Sequence, residues 1–161
     1  MISASQHHPK EGLGSIMPLA GCMSSHVRYH ISRICKAAGY NLTPEESGIL
    51  MIIRHFDGLP QSQLASILGK DKAAVTRLIS VLVKSGLVGR EQDEQDRRIV
   101  RACITDEGER AFVQLWPELM KLSNQALNGI SEADLDCMRQ VFFAINANLA
   151  VLTEQCNKSG D

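Results

Sequence analysis

Apolar residues recur every three or four positions along most of this chain, the spacing that puts them on one face of an α-helix. Two stretches depart from it and are typical of extended strands, namely Leu87 to Arg90 and the β-branched run Ile99 to Ile104. A charged segment joins them, so they are predicted to form a β-hairpin. The helical spacing predicts six helices, over about residues 18–38, 44–56, 61–68, 72–84, 106–128 and from 132 onward.

Local signals predict where these helices begin and end. Thr43 is suited to cap a helix, Pro44 to stand in its first turn and Glu46 to complete a capping box. Further N-caps are predicted at Asp71, Thr105 and Ser131. Breaks are predicted at Asp57, Gly58, Gly69, Ser85 and Gly86. Pro117 lies inside the fifth helix and predicts a kink near residues 113–116.

A short helix, a break, a second helix, a stop and a hairpin follow one another with short connections, which is the order of a winged helix-turn-helix. The predicted fold is therefore mainly α with a small β-hairpin wing. Residues 41–105 are expected to form this DNA-binding head, and residues 16–40 and 106–156 a helical dimerisation region. Residues 1–15 lack periodicity and are expected to be a flexible tail.

The fourth predicted helix has the features of a recognition helix, which needs a buried face for anchorage and an outer face that reaches DNA. Val75, Leu78, Ile79 and Leu82 are expected to be buried, as are Leu64, Ile67 and Leu68 of the preceding helix. The predicted DNA-binding residues are Gln61, Ser62, Lys72, Ala73, Ala74, Thr76, Arg77, Ser80, Asp96, Arg97 and Arg98. Within this set, Arg77 suits guanine, Gln61 and Ser62 suit a phosphate, and Arg97 and Arg98 suit a minor groove.

The first, fifth and sixth helices carry apolar stripes, although the head already has a core of its own. In the last helix the apolar positions alternate three and four apart at Leu135, Met138, Phe142, Ile145, Leu149 and Leu152. Such a seam packs against another helix, within the chain or in a second copy. A homodimer is expected, and its two-fold symmetry suits a pseudo-palindromic DNA site.

Charge supports this interpretation only locally, because the formal net charge of the chain is −1. The segment from Lys70 to Arg101 contains eight basic and five acidic residues. Glu91, Asp93 and Glu94 make the wing unusually acidic for a DNA-binding hairpin. This acidity favours an alternative function, a helical dimer that binds a protein partner and not an operator.

Composition narrows the remaining classes. The five cysteines Cys22, Cys35, Cys103, Cys137 and Cys156 are odd in number and form no C-x-x-C pair, and no secretory signal is evident. A cytoplasmic location is expected, with no membrane span. Neither a set of nucleophile, base and orienting residue nor a phosphate loop is visible, so no enzyme activity and no cofactor are expected.

Cys22, His26 and His30 lie four residues apart on one face of the first helix. They are candidates for an oxidant-sensing thiol or for the lining of an effector pocket, and an inert small cysteine is the alternative. A zinc ion bound by all three is excluded, because Cys22 and His30 lie about 12 Å apart along the axis. No metal site is therefore expected.

Several motifs resemble those of the MarR family of bacterial winged-helix transcriptional regulators. They are L-T-P-E-E at residues 42–46, L-A-x-x-L-G at 64–69, G-L-V-G-R at 86–90, and D-R-R at 96–98 followed by I-T-D-E-G at 104–108. The resemblance covers roughly residues 17–152. Ala73 and Ala74 stand where serine or threonine is common, so base reading is expected to depend on Lys72, Thr76 and Arg77.

The resemblance implies a homodimer whose terminal helices form the interface. It implies that Arg98 enters a minor groove while Asp96 braces it. It also implies a small-molecule effector, often anionic or phenolic, bound between the dimer helices and the head. The expected function is sequence-specific regulation of transcription, as a repressor released by a small molecule or an oxidant.

Overall fold

The computed structural model describes residues 13–68 and 71–158. The predicted residues Gly69 and Lys70, and residues 1–12 of the predicted tail, lie outside the described residues. The helices are α1 (Leu13–Ala37), α2 (Pro44–His55), α3 (Gln61–Leu68), α4 (Lys72–Lys84), α5 (Asp106–Ala126) and α6 (Glu132–Lys158). The strands are β1 (Leu59–Pro60), β2 (Val88–Gln92) and β3 (Val100–Ile104). We call β2, β3 and the connecting residues 93–99 the wing, and residues 93–99 the wing tip.

The predicted start of α2 is confirmed. Thr43 Oγ1 accepts from the Glu46 N–H at 3.2 Å, and Glu46 Oε2 accepts from the Thr43 N–H at 2.8 Å. The predicted caps of α4 and α5 are confirmed as well, since Asp71 Oδ1 accepts from the Ala74 N–H and Thr105 Oγ1 from the Gly108 N–H. These four contacts satisfy N–H groups that have no partner inside their helices.

The sheet has three antiparallel strands in the order β1-β3-β2. Val88 pairs with Ile104 and Gln92 with Val100, which confirms the predicted hairpin. The two-residue strand β1 was not predicted; it pairs Leu59 with Ala102 on the other side of β3. Its brevity and its proline hide it from sequence patterns, because proline lacks an N–H and is restricted to sheet edges.

A continuous apolar core is built from every element of residues 41–105 and extends to Cys35 of α1 and to Ala111 and Leu115 of α5. Fully buried side chains include Leu50 and Ile53 of α2, Leu64 of α3, and Ile79 and Leu82 of α4. One prediction was wrong: Ile67 is 50% exposed. In an eight-residue helix only one stripe reaches the core, and Leu64 and Ala65 occupy it.

The terminal helices differ from their predicted bounds, but they carry apolar side chains as predicted. α1 begins at Leu13, five residues before the expected start, and α5 continues through Pro117. Large apolar side chains are exposed on all three helices: Ile16, Met17, Leu19, Met23, Val27, Val113, Trp116, Met120, Met138, Val141, Phe143, Leu149, Val151 and Leu152. Within the described residues, no helix is both long and apolar enough to cross a membrane.

Candidate nucleic-acid interface

The two faces of α4 are separated as the sequence predicts. Val75 and Ile79 are fully buried, while Lys72 and Arg77 are exposed on the other side. Neither cationic side chain contacts another described residue through a hydrogen bond or an ion pair. Both are therefore free to meet DNA. Ala73 and Thr76 are exposed beside them, and Ala74 is half-buried.

Two hydroxyls on the outer face of α4 are already engaged. Thr76 Oγ1 donates to the Lys72 carbonyl at 2.8 Å, and Ser80 Oγ donates to the Thr76 carbonyl at 2.7 Å. Ser80 Oγ also accepts from Arg90 Nη2 at 2.7 Å. Ser80 therefore connects α4 to the wing and has no free donor for a base.

Arg90 is the residue that the sequence interpretation missed. It lies on β2, and its guanidinium reaches both Ser80 and, at 3.5 Å, the Thr76 carbonyl. This contact fixes the wing beside the outer row of α4. The signal in the sequence was the arginine that closes the G-L-V-G-R segment, a cation on the strand directly after the recognition helix.

The start of α3 differs from its predicted role at one of two positions. Ser62 is exposed and remains able to meet a phosphate. Gln61 is half-buried, and its Nε2 is enclosed without a hydrogen-bond partner among the described residues. This amide nitrogen cannot donate to a phosphate in the present conformation.

The wing tip is a compact loop with Arg97 and Arg98 exposed at its end. Its base is closed by the Asp93 N–H, which donates to the Ile99 carbonyl at 3.0 Å. Asp96 Oδ1 accepts from the backbone N–H of Arg98 at 3.0 Å. The brace predicted between Asp96 and the Arg98 side chain is corrected by this contact. A short aspartate side chain reaches the N–H two residues on, which forms an Asx-turn.

The acidic residues of the wing have separate tasks. Asp93 Oδ1 accepts from the N–H groups of Gln95 and Asp96, both at 2.9 Å, and Oδ2 pairs with Arg101. The pKa of Asp93 is lowered. The hydrogen bond from the Asp96 N–H has the largest effect, followed by the Arg101 side chain and then the Gln95 N–H. Glu94 is exposed and makes no hydrogen bond to another described residue.

Glu91 of β2 is paired with Arg101 of β3, lies diagonally across from Cys103, and affects the chemistry of that thiol. The pKa of Cys103 is raised to about 11, chiefly by burial and to a smaller extent by the charge and hydrogen bond of Glu91. Burial also raises the pKa of Cys35. Since the thiolate is the reactive form, neither cysteine is suited to sense an oxidant at neutral pH.

The predicted effector residues on α1 are only partly brought together. Cys22 Sγ lies 3.9 Å from His26 Nδ1, and both side chains are exposed. His30 instead stacks edge-on with Tyr29. No group of three or more metal-ligating side chains occurs in the part of the chain that the structure describes. Cys137 lies elsewhere, in a cavity of about 410 Å³ between α1 and α6.

Comparison with known proteins assigns this arrangement to a family. A model of the MarR family matches residues 42–100. The HTH-type transcriptional regulator YhbI of Bacillus subtilis is 31% identical over 115 residues, which cover 70% of this chain and 72% of YhbI. The chain belongs to the MarR family of transcriptional regulators. The B. subtilis regulator YwaE is 26% identical over 110 residues, 68% of this chain and 64% of YwaE. The chain thus spans just under two thirds of that relative.

One further relative and two solved structures are similar to this chain. The transcriptional repressor MprA of Escherichia coli is 24% identical over 119 residues, 74% of this chain and 68% of MprA. A MarR-family regulator from Listeria monocytogenes in complex with a 26mer DNA has a TM-score of 0.74 at 22% identity, over 84% of this chain and 89% of its own. CouR from Rhodococcus jostii bound to p-coumaroyl-CoA has a TM-score of 0.72 at 22% identity, over 82% of this chain and 92% of its own. Both structures share the fold described above.

Proposed function

We propose that this MarR-family chain is a homodimeric, sequence-specific DNA-binding regulator that represses transcription until an effector releases it. The observation that carries the proposal is the alignment of α4 and the wing. Arg90 joins Thr76 and Ser80 of α4 to β2, the strand that leads into the wing tip. The exposed cations Lys72 and Arg77 lie on that helix, and residues 97–98 are exposed on that tip. Cationic side chains at a helix face and a protruding loop neutralise phosphates and read grooves.

Lys72 and Arg77 are proposed to contact bases or phosphates in the major groove, and Thr76 Oγ1, which donates its proton to the Lys72 carbonyl, is proposed to accept from a base amino group. Ala73 and Ala74 suit contact with a thymine methyl, and Ser62 suits a phosphate. Arg98 is proposed to enter the adjacent minor groove, with Arg97 beside it. Ser80 supports this surface through its bond to Arg90, whereas Gln61 is left out of the proposed contacts because its amide nitrogen is enclosed.

The test is selection of bound duplexes from a random-sequence pool, followed by fluorescence anisotropy with the selected duplex over a range of salt. Neutralising about six phosphates predicts that log K falls with log salt at a slope of about −5. Enrichment of a pseudo-palindrome is the expected result. No enriched sequence and no salt dependence would overturn the proposal.

Homodimerisation is proposed from the exposed apolar side chains of α1, α5 and α6. On α6, Leu149 is 42% and Leu152 is 55% exposed, although both continue the three-four seam that begins at buried Leu135. Apolar patches of this extent mark interaction surfaces. Sedimentation equilibrium should give twice the chain mass of 17.7 kDa, and Leu149→Asp with Leu152→Asp should give the monomer. A monomeric wild-type protein would refute the dimer.

The effector is proposed to bind a cavity of about 450 Å³ between α2 and α5, a size that suits small ligands. Phe112 and Trp116 stack with centroids 5.4 Å apart, and the Arg54 guanidinium lies 4.3 Å from the Phe112 centroid while pairing with Glu109. A planar aromatic anion can stack on these rings and compete with Glu109 for Arg54.

Benzoate is the simplest probe of this cavity, and peroxide and Zn²⁺ are the comparison probes for Cys22, His26 and His30. Release of the selected duplex by benzoate, with loss of that response in Arg54→Gln, is the expected result. Release by peroxide alone, abolished by Cys22→Ser, would instead assign control to the α1 thiol.

The alternative of a protein-interaction dimer without operator binding depended on the acidic wing. Asp93 faces partners within the fold, so its charge serves internal contacts. Glu91, Glu94 and Asp96 are exposed and are the wing acids that remain accessible to a partner. No further observation favours the alternative.

A further inference from the structure

We infer that Asp93 and Arg101 are positioning residues for DNA binding, which hold the wing tip in one conformation and fasten it to the turn that follows α2. The inference rests on the proposed DNA binding. Neither residue is expected to touch DNA. Their effect is to set the direction in which Arg97 and Arg98 leave the wing.

Asp93 organises the tip through three donors. Its Oδ1 accepts from the Gln95 and Asp96 N–H groups at 2.9 Å each, and its Oδ2 accepts from Arg101 Nε at 2.7 Å. Its side chain is only 11% exposed, whereas an aspartate in a charged surface loop is usually solvated. The carboxylate is therefore occupied inside the loop and is not presented to a partner.

The order propagates from Asp93 to the arginines at the tip. Asp93 fixes the Asp96 backbone, and Asp96 in turn accepts from the Arg98 N–H at 3.0 Å. The Ile99 N–H donates to the Asp96 carbonyl at 2.9 Å and closes the turn. Since each bond defines the frame of the next, loss of the Asp93 carboxylate releases the backbone that carries Arg98.

Arg101 connects this loop to the body of the head. Its Nη1 donates to the Gly58 carbonyl at 2.7 Å while Nε and Nη2 hold Asp93. The same turn is bound to β3 by Gly58 N–H to the Ala102 carbonyl and by the Ile104 N–H to Asp57 Oδ1. Arg101 is thus committed to internal partners on both sides, although its charge alone suggests a phosphate contact.

Electrostatics and positioning predict opposite signs for Asp93→Asn. Removing a negative charge near DNA phosphates, by itself, tightens binding. Losing the loop conformation weakens binding, because asparagine offers one carbonyl oxygen and turns its NH₂ group toward either the backbone donors or Arg101. Glu94→Gln is the matched control: it removes the same charge one residue away, where no hydrogen bond is lost.

Binding is measured by fluorescence anisotropy with the selected duplex. Asp93→Asn should bind about 5- to 100-fold more weakly, approaching the loss caused by Arg98→Ala, and Glu94→Gln should bind as tightly as wild type or up to about 2-fold more tightly. Combining Asp93→Asn with Arg98→Ala should cost less than the product of the single losses, since both remove the same contact. Arg101→Lys keeps the charge but not the fork, and should also weaken binding.

Amide hydrogen exchange separates loop order from DNA contact. Exchange at Gln95 and Asp96 should accelerate in Asp93→Asn but not in Glu94→Gln, while amides of the buried residues Leu50 and Ile79 stay protected in both. If wild type binds no duplex, the proposed function fails and this inference fails with it. If wild type binds and Asp93→Asn binds as tightly as Glu94→Gln, the inference alone is overturned.

Discussion

Gly108 lies where α5 passes against the peptide that leads into β2, and an added methyl group there has no room. A Cβ at this position would lie 2.1 Å from the Leu87 carbonyl oxygen and 2.8 Å from Ile104 Cγ1. An ordinary carbon–oxygen contact is about 3.3 Å, so α5 would have to retreat by roughly 1 Å. That retreat would strain the hydrogen bond that the Thr105 N–H donates to the Leu87 carbonyl, whose N···O distance is 3.3 Å.

The cost of Gly108→Ala follows from these contacts. Overpacking costs about 2 to 3 kcal/mol and a lost hydrogen bond about 1, while the better helix propensity of alanine offsets about 1. The expected net loss is about 2 to 3 kcal/mol, which lowers Tm by about 4–12 °C in a chain of this length. Differential scanning calorimetry measures it.

Gly48→Ala is the matched control, because Gly48 also lies inside a helix but has nothing within 4 Å of its added Cβ. It should raise stability by about 0.5–1 kcal/mol. Equal melting temperatures for the two variants would refute the close approach of α5 to the Leu87 carbonyl.

Four further outcomes are expected. Thr43→Ala removes the α2 cap and should lower the free energy of unfolding in urea by about 1 kcal/mol. Arg90→Gln should weaken binding to the selected duplex several-fold without changing the urea midpoint, because it detaches the wing from α4. Because the pKa of Asp93 is lowered in the folded protein, its contacts stabilise the wing fully at pH values above the unfolded pKa of about 4. This stabilisation is lost as the pH falls through the lower, folded pKa. The NMR chemical shift of the Gln95 amide, followed against pH, measures that loss. Iodoacetamide at pH 7 should modify exposed Cys22 well before Cys103, whose pKa is about 11, as peptide mass spectrometry would show.

The helix bounds of the head were predictable because their signals are local. The Thr43 capping box needs only four adjacent residues, and the Asp71 cap needs the same. The wing hairpin was predictable for a related reason, since β-branched residues and a polar tip occur in one stretch of chain. The amphipathic stripe of α4 likewise separates Ile79 from Arg77 by periodicity alone.

Other features depend on contacts between distant parts of the chain. Strand β1 forms because Gly58 and Leu59 pair with β3, which lies more than forty residues later in the chain. No pattern within a two-residue strand encodes such a distant pairing. The roles of Asp93 and Arg101 depend on the same return, because the Gly58 carbonyl completes their network. For this reason the acidity of the wing, taken from the sequence alone, favours a dimer that binds a protein partner, whereas in the structure Asp93 serves the loop itself.

The most direct test of the DNA-binding surface is the affinity of Arg98→Ala for the selected duplex, beside Lys121→Ala as the control. Both variants remove one exposed cation, but Lys121 lies on α5 and, among the described residues, forms an ion pair with Glu118 alone, at 3.8 Å. Arg98→Ala should lose about 1–3 kcal/mol of binding free energy, with its melting temperature unchanged, and Lys121→Ala should bind as wild type does. Equal affinities for the two variants would contradict the assignment of the wing as a DNA-reading element.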